Sequence, residues 1–213
     1  MQSIAIEARD LAKAFAGPAL FARLCFRADS GLVAVTGRNG SGKTTLLKIL
    51  ASLARPSAGS VSVRRGEQEL SGDERRRAVG WSGPDLAFYE DFSAVENLAF
   101  LSRAGGRPAA AEDLARRLEA VGLAGAANRT VGAFSTGMRQ RLRIAFALLF
   151  DPPLLLLDEP MSNLDSEGRA IVEAVVEKQR HGGIVFVASN EPRDFPAPDQ
   201  TIGLGRETEN GKR

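Results

Sequence analysis

Cysteine, histidine, tryptophan and tyrosine each occur once in these 213 residues. A lone cysteine, Cys25, can close no internal disulfide, and nothing near it has metal-ligand spacing, so Cys25 reads as a core thiol. Long apolar runs are also missing. The longest uninterrupted one, Ile144 to Phe150, falls far short of the roughly 20 residues that cross a bilayer, so any membrane role has to be borrowed from a partner. Charge of one sign is scarce too: 28 basic against 26 acidic residues leave a net +2, which provides no strong field for nucleic acid. The one basic cluster, Arg75-Arg76-Arg77, follows Asp73-Glu74 and precedes an apolar stretch; it reads as a solvated turn or helix end rather than a phosphate-binding patch. Met1 to Asp10 carries acidic residues and no basic start followed by an apolar stretch, so no secretory signal is expected and a cytosolic location is.

What is present is 44% hydrophobic and 25% charged residues, enough for one globular unit with a real core across 1–213. Short β-rich apolar runs alternate with helical patterns, the habit of an α/β fold with a mostly parallel sheet. Leu32–Thr36, Val79–Ser82, Leu154–Leu157, Ile184–Ala188 and Thr201–Leu204 read as strands. Several are apolar without alternation, as expected when helices cover both faces. Ile4–Ala8 and Ser60–Val63 suit a smaller antiparallel sheet. Helices are expected at Lys43–Leu53, Val95–Leu101, Ala109–Val121, Thr136–Phe150 and Ser166–Arg180, which makes residues 86–150 an inserted helical lobe. The tail, 206–213, reads as flexible.

Gly37-Arg38-Asn39-Gly40-Ser41-Gly42-Lys43-Thr44 fits G-x-x-x-x-G-K-[ST] between an expected strand and an expected helix. Gly37, Gly40 and Gly42 allow positive-φ turns, so that successive N–H groups, helped by the helix N-terminus, can face an anion. Lys43 would reach the β- and γ-phosphates of ATP, the Thr44 hydroxyl would ligate Mg²⁺, and Thr45 completes the loop. A match of this length arises by accident in roughly one chain in a hundred of this size, so nucleotide binding outweighs a chance glycine-rich turn.

Leu154 to Leu157 delivers Asp158-Glu159-Pro160 to a strand end, the edge where open α/β sheets place ligands. Beside a phosphate loop the two carboxylates divide the work. Asp158 can hold Mg²⁺ directly or through water, and Glu159 can orient and deprotonate the attacking water.

Phe134-Ser135-Thr136-Gly137-Met138-Arg139-Gln140, 23 residues upstream of Asp158 counting from Ser135, resembles the signature motif of ABC ATPases, with Thr136 and Met138 as variants. The resemblance covers nearly the whole chain. The phosphate loop corresponds to Walker A, Leu154 to Glu159 to Walker B, and Ser162-Asn163-Leu164-Asp165 to the D-loop, in family order. Phe15, about twenty residues before the phosphate loop, stands where the family stacks adenine, although taken alone such a residue is more often a core aromatic. Ser135 alone is an N-cap, and an N-cap exposes amides suited to a γ-phosphate. The resemblance implies a P-loop NTPase core with a mostly parallel sheet, a small antiparallel β subdomain and a helical subdomain. It also implies a homodimer or heterodimer of cassettes that sandwiches two ATP molecules, separate transmembrane permease subunits, and a peripheral place on the cytoplasmic face of the membrane.

Two positions depart from the family pattern. Gly80-Trp81-Ser82-Gly83-Pro84-Asp85, aligned with G-Y-x-P-Q-x, puts Pro84 where the family has a glutamine that touches Mg²⁺ and links the lobes. Adjacent Asp85 either supplies that oxygen or is a plain loop aspartate. Asn190 stands where a histidine usually contacts the γ-phosphate; an amide can donate there but cannot carry a proton or positive charge. His181, the sole histidine, reads as a solvated turn residue. Slow turnover with Glu159 as the main base is therefore expected. The competing readings are a soluble ABC-type ATPase acting on DNA or ribosomes, which the near-neutral charge opposes, and a regulatory switch with very slow hydrolysis.

Overall fold

Strands whose side chains are apolar at every position need a core on each side, and two cores are what the chain builds. The computed structural model describes residues 3–190, 195 and 197–205; the tail expected at 206–213 lies outside them. One sheet joins β3 (Gly31–Thr36), β6 (Val79–Ser82), β7 (Leu154–Asp158), β8 (Ile184–Ala188) and β9 (Gln200–Gly203) in the order β6-β7-β8-β3-β9, every pairing parallel. Leu155, Leu157, Val185 and Val187 point into one core with α5 (Thr136–Ala147) and α6 (Ser166–Arg180). Their neighbours Leu154, Leu156, Ile184 and Phe186 point into the other with α1 (Lys43–Leu50). Alternation is present; it is hidden because both faces are dry.

The second core also receives one face of an antiparallel sheet, order β2-β1-β4-β5, from β1 (Ile4–Ala14), β2 (Ala19–Ala28), β4 (Ala58–Arg65) and β5 (Gln68–Leu70). Ile4, Ile6 and Ala8 face inward on β1, the register slips around Asp10 at φ 47°, and the next buried residue is Leu11, on an odd number. A bulge of this kind inverts the phase of the pattern, which is why the strand expected at Ile4–Ala8 is longer in fact. β2 has the same defect at Arg23, φ 51°, between buried Phe21 and buried Phe26. No strand was expected there. Cys25, expected in the core, is exposed instead: it is the outward neighbour of Phe26, and its Sγ accepts a hydrogen bond from the Asp10 N–H at 3.2 Å.

Between β6 and β7 the chain forms α3 (Ala94–Ala104), α4 (Ala111–Ala120), two short 3-10 turns and α5. Ser93 and Glu96 close a capping box at the start of α3. Two helices stop earlier than their apolar patterns suggest. α1 ends at Leu50 rather than Leu53, with Ser52 at φ 61°, and α5 ends at Ala147 rather than Phe150, with Asp151 at φ 47° ahead of Pro152. The arginine cluster belongs to α2 (Gly72–Arg77), where Arg75 turns inward and its guanidinium donates to the carbonyls of Val61 at 3.0 Å and of Ile49 and Leu50 at 3.4 Å. The cluster is a helix end as expected, but Arg75 is only partly exposed and holds the C-terminal carbonyls of α1.

Asp199 joins three elements. Its carboxylate accepts from the Leu32 N–H and from Arg180, both at 2.7 Å, tying the start of β3 to the end of α6 and the entry to β9. The Leu32 amide above all, joined by the charge and hydrogen bond of Arg180, holds the Asp199 carboxyl below its ordinary value against an opposing effect of burial. A depressed carboxyl stabilises the fold above the ordinary aspartate range and loses that contribution as the pH falls through the lowered value. Asp199→Asn is therefore expected to melt about 2 °C below wild type at pH 7, a modest effect because the ion pair is half exposed. The two melting curves should converge as the pH passes below 3.8; a gap independent of pH would show that the charge is not what matters.

Candidate functional site

The parallel order brings the carboxyl ends of β3, β8 and β7 side by side. Ala188 on β8 is in register with Val35 on one side and Asp158 on the other, so Asn190, two residues on, emerges between the phosphate loop and the acidic pair. The loop from Gly37 to Gly42 then leads straight into α1. Gly42 is the N-cap of α1 at φ 99°, and a side chain there would press on Leu20 and Phe21 at 3.1–3.2 Å, so both its conformation and its space demand glycine. Gly37 and Gly40 also have positive φ, at 155° and 80°.

Lys43 is buried, and its ammonium donates to the Gly37 carbonyl at 2.9 Å, the Arg38 carbonyl at 3.4 Å and Asn190 Oδ1 at 2.6 Å. Lysine is donor only, so the amide oxygen of Asn190 must face it. On the next residue, Thr44 Oγ1 donates to Asp158 Oδ2 at 2.6 Å. Asp158 is 3% exposed, and its other oxygen, Oδ1, is buried with no hydrogen-bond partner. Burial pushes its carboxyl above the ordinary value; the Thr44 hydrogen bond and the charges of Lys43 and Lys48 pull it back, and Asp85 adds to the rise. A buried carboxylate oxygen without a donor is costly. A hydroxyl and an orphaned carboxylate oxygen are hard oxygen donors of the kind a small divalent cation requires, so the residues fit Mg²⁺. Among the described residues no three His, Cys, Asp or Glu side chains cluster at metal-binding distance, so protein atoms alone would not complete the shell.

Glu159 follows at φ 48°, a left-handed conformation that a glutamate adopts only when its surroundings impose it. Its N–H donates to the Ala188 carbonyl at 2.9 Å, and its carbonyl accepts from Gln140 Nε2 at 3.2 Å. Both main-chain bonds fix the turn that puts the glutamate beside the cleft. That cleft, ≈ 380 Å³, is lined by Leu20, Asn39, Gly40, Gly42, Lys43, Thr44, Thr45, Glu159 and Asn190.

Other residues expected at the site stand apart from this cleft. Arg38 borders a second hollow with Thr36, Gly37 and Asn190, and Ser41 packs its buried hydroxyl against Gly37. Phe15 is 65% exposed, so it is not a core aromatic, and Lys13 Nζ lies 4.8 Å from its ring centre. Ser135 caps α5, its hydroxyl accepting from the Met138 N–H at 3.1 Å, with Thr136 exposed on the first turn. Gly137 touches the D-loop: a Cβ there would meet the Asn163 carbonyl at 2.9 Å. Asn163 has φ 61°, Ser162 N–H donates to the Glu159 carbonyl at 3.1 Å, Leu164 packs on the first core, and Asp165 caps α6 by accepting from Gly168 N–H at 2.8 Å. Asp85 is exposed and forms an ion pair with Lys48.

Three residues have positions that sequence reading missed. Lys48 lies four residues after Thr44 and so on the same helical face, a spacing that could have flagged it. Gln140 and Arg143 lie one turn apart on α5: Arg143 donates to Gln140 Oε1 at 3.0 Å and to the Leu86 carbonyl at 3.1 Å, which links the loop after β6 to Glu159.

The profile of the ABC transporter family matches residues 24–162. The chain is 36% identical over 202 residues, 94% of its length and 92% of the relative's, to the cytochrome c biogenesis ATP-binding export protein CcmA of Brucella melitensis. It is 40% identical over 161 residues to the uncharacterized ABC transporter ATP-binding protein YxlF of Bacillus subtilis, over 74% of this chain and 53% of that one, so it spans about half of YxlF. Among solved structures, 95% of the chain superimposes with a TM-score of 0.81 on 37% of a bacterial Atm1-family ABC exporter with ATP bound; at 18% identity this likeness concerns the fold alone.

The orphaned oxygen makes Asp158 a stability liability in the folded chain. In chelator and without nucleotide, Asp158→Asn keeps an acceptor for Thr44 and removes the buried charge, and should raise the melting temperature at pH 7 by about 2–4 °C. A melting temperature below wild type would mean that the carboxylate is already compensated.

Proposed function

Because this chain belongs to the ABC transporter family and is the ATP-binding subunit of such a transporter, we propose that it hydrolyses ATP at the cleft between the phosphate loop and Glu159 and so drives transport. The observation that carries this reading is the pairing of Thr44 with Asp158, one of whose oxygens remains unpartnered, beside Lys43, Asn190 and a constrained Glu159.

The loop amides and the start of α1 bind the phosphates, assisted by residues 37–45. Lys43 exchanges its loop carbonyls for phosphate oxygens, and Asn190, with its oxygen turned to Lys43, keeps its N–H₂ group for an anion. Thr44 and Asp158 would hold Mg²⁺, which would offset negative charge on the phosphates. Glu159 orients the attacking water and takes its proton, as general base. With a proline at position 84 and an amide at position 190, neither residue adds an ionisable group to that chemistry, and turnover is slow.

Residues 86–150 act as the helical subdomain of a single nucleotide-binding domain. The exposed start of α5, with Ser135, Thr136, Gly137 and Met138, serves a second copy's nucleotide, since none of them lines this chain's own cleft. Phe15, exposed beside Lys13, is free to stack on adenine. The assembly is a dimer of cassettes on separate membrane-spanning subunits at the cytoplasmic face; among the described residues no helix is long and apolar enough to cross a membrane. The end-to-end match to a relative named as an export protein favours export.

Glu159→Gln should lower steady-state ATP hydrolysis at least ~100-fold while leaving ATP binding intact, and Asn190→His should raise turnover. Wild-type hydrolysis by Glu159→Gln would remove it as the base. Affinity capture from native membranes should recover a polytopic membrane protein; recovery of ribosomes or nucleic acid instead would turn the reading to a non-transport ATPase.

A further inference from the structure

β6 is an edge strand of the parallel sheet, and beside it the two cores come together: Trp81 packs against one, Phe146 and Phe150 against the other. A hollow of ≈ 380 Å³ opens at this seam, lined by those three rings, by Arg76 and Arg77 of α2, and by Arg107, which follows α3. It shares no lining residue with the nucleotide cleft. The Trp81 ring lies against the backbone of Gly83, where a Cβ would come within 2.2 Å of it, so the indole has a fixed seat. Arg107 places its guanidinium 4.0 Å from the centre of the Phe150 ring. Stacking on an aromatic face orients a planar guanidinium and leaves its in-plane N–H groups open.

The polar side chains of the hollow have donors to spare. Asp73, the carboxylate in its lining, is taken by Arg76. Arg77 and Arg107 have no ion pair and no side-chain hydrogen bond among the described residues, and the Trp81 indole N–H has no acceptor among them. Guanidinium and indole N–H groups donate only. Aromatic walls with spare donors select a flat apolar body that carries a carboxylate. The volume is at the small end of ordinary ligand pockets, roughly 300–1,000 Å³, which suits one fused ring system rather than a lipid or a peptide segment.

We propose that this hollow is a binding site for a small aromatic carboxylate, separate from the nucleotide cleft. Arg77 and Arg107 receive the carboxylate, the Trp81 indole adds a donor, and the faces of Trp81 and Phe146 take the ring. An occupant bridges α2 and the segment after α3.

Because the chain has a single tryptophan, one signal reports on this site. Naphthoate is titrated into the nitrogen-15-labelled full chain, with the nucleotide cleft empty or saturated with ADP, and the indole N–H cross-peak is followed by NMR. The peak should shift saturably with a Kd on the order of 1 mM, the same with and without ADP. The neutral amide, naphthamide, should bind about tenfold more weakly, and Arg107→Met, which keeps an apolar contact with Phe150, should weaken naphthoate by a similar factor. A peak that does not move, or that responds equally to naphthamide and naphthoate, overturns the proposal, and that comparison uses the unaltered chain, so no variant has to fold. Displacement of naphthoate by ADP, or wild-type affinity in Arg107→Met, overturns it as well.

Discussion

The dry burial of β7 and β8 on both faces is the constraint from which the rest follows. Every residue of Leu154–Asp158 and Ile184–Ala188 is buried, so polar chemistry has nowhere to stand along these strands. It can appear only where the strands run out. Parallel pairing makes β3, β8 and β7 run out at one edge, and there the phosphate loop, Asn190 and the Asp158-Glu159 pair meet. Two hydrophobic cores thus leave Asp158 and Glu159 no place but this edge. Asp158, the last strand residue and 3% exposed, lies on the boundary between the two environments.

The central strands and most helices were legible because their signals are local. Val79–Ser82, Ile184–Ala188 and Ser166–Arg180 have the expected ends. β2 was not legible, because a positive-φ bulge at Arg23 shifts buried positions from Phe21 to Phe26 and erases the period of two. Cys25 was misread for the same reason: residue type suggested burial, but strand phase decides it. The run Ile144 to Phe150 masks the end of α5, since apolar residues continue past the last helical turn and pack there without being helical.

At the candidate site, the contiguous motifs could be read from spacing, whereas the couplings between them could not. Lys43 and Asn190 are 147 positions apart, and Thr44 and Asp158 are 114 apart. Parallel crossovers create those pairs. The Lys48–Asp85 and Gln140–Glu159 contacts likewise join separate elements, whereas Arg143–Gln140 is a one-turn pair within α5. The left-handed φ of Glu159 is likewise invisible in a residue type that rarely adopts it; it follows from the main-chain bonds to Ala188 and Gln140.

Helix α1, eight residues and so about 12 Å long, has a charged group assigned to each pole. Its N-terminus opens on the cleft lined by Gly40, Gly42 and Lys43, and its last carbonyls receive the Arg75 guanidinium from the antiparallel side of the molecule. Anion, peptide dipoles and cation then stand in series along one axis, each polarising the next. The helix therefore joins the two sheets electrostatically: the antiparallel side of the molecule supplies the cation that the carbonyl end of α1 favours.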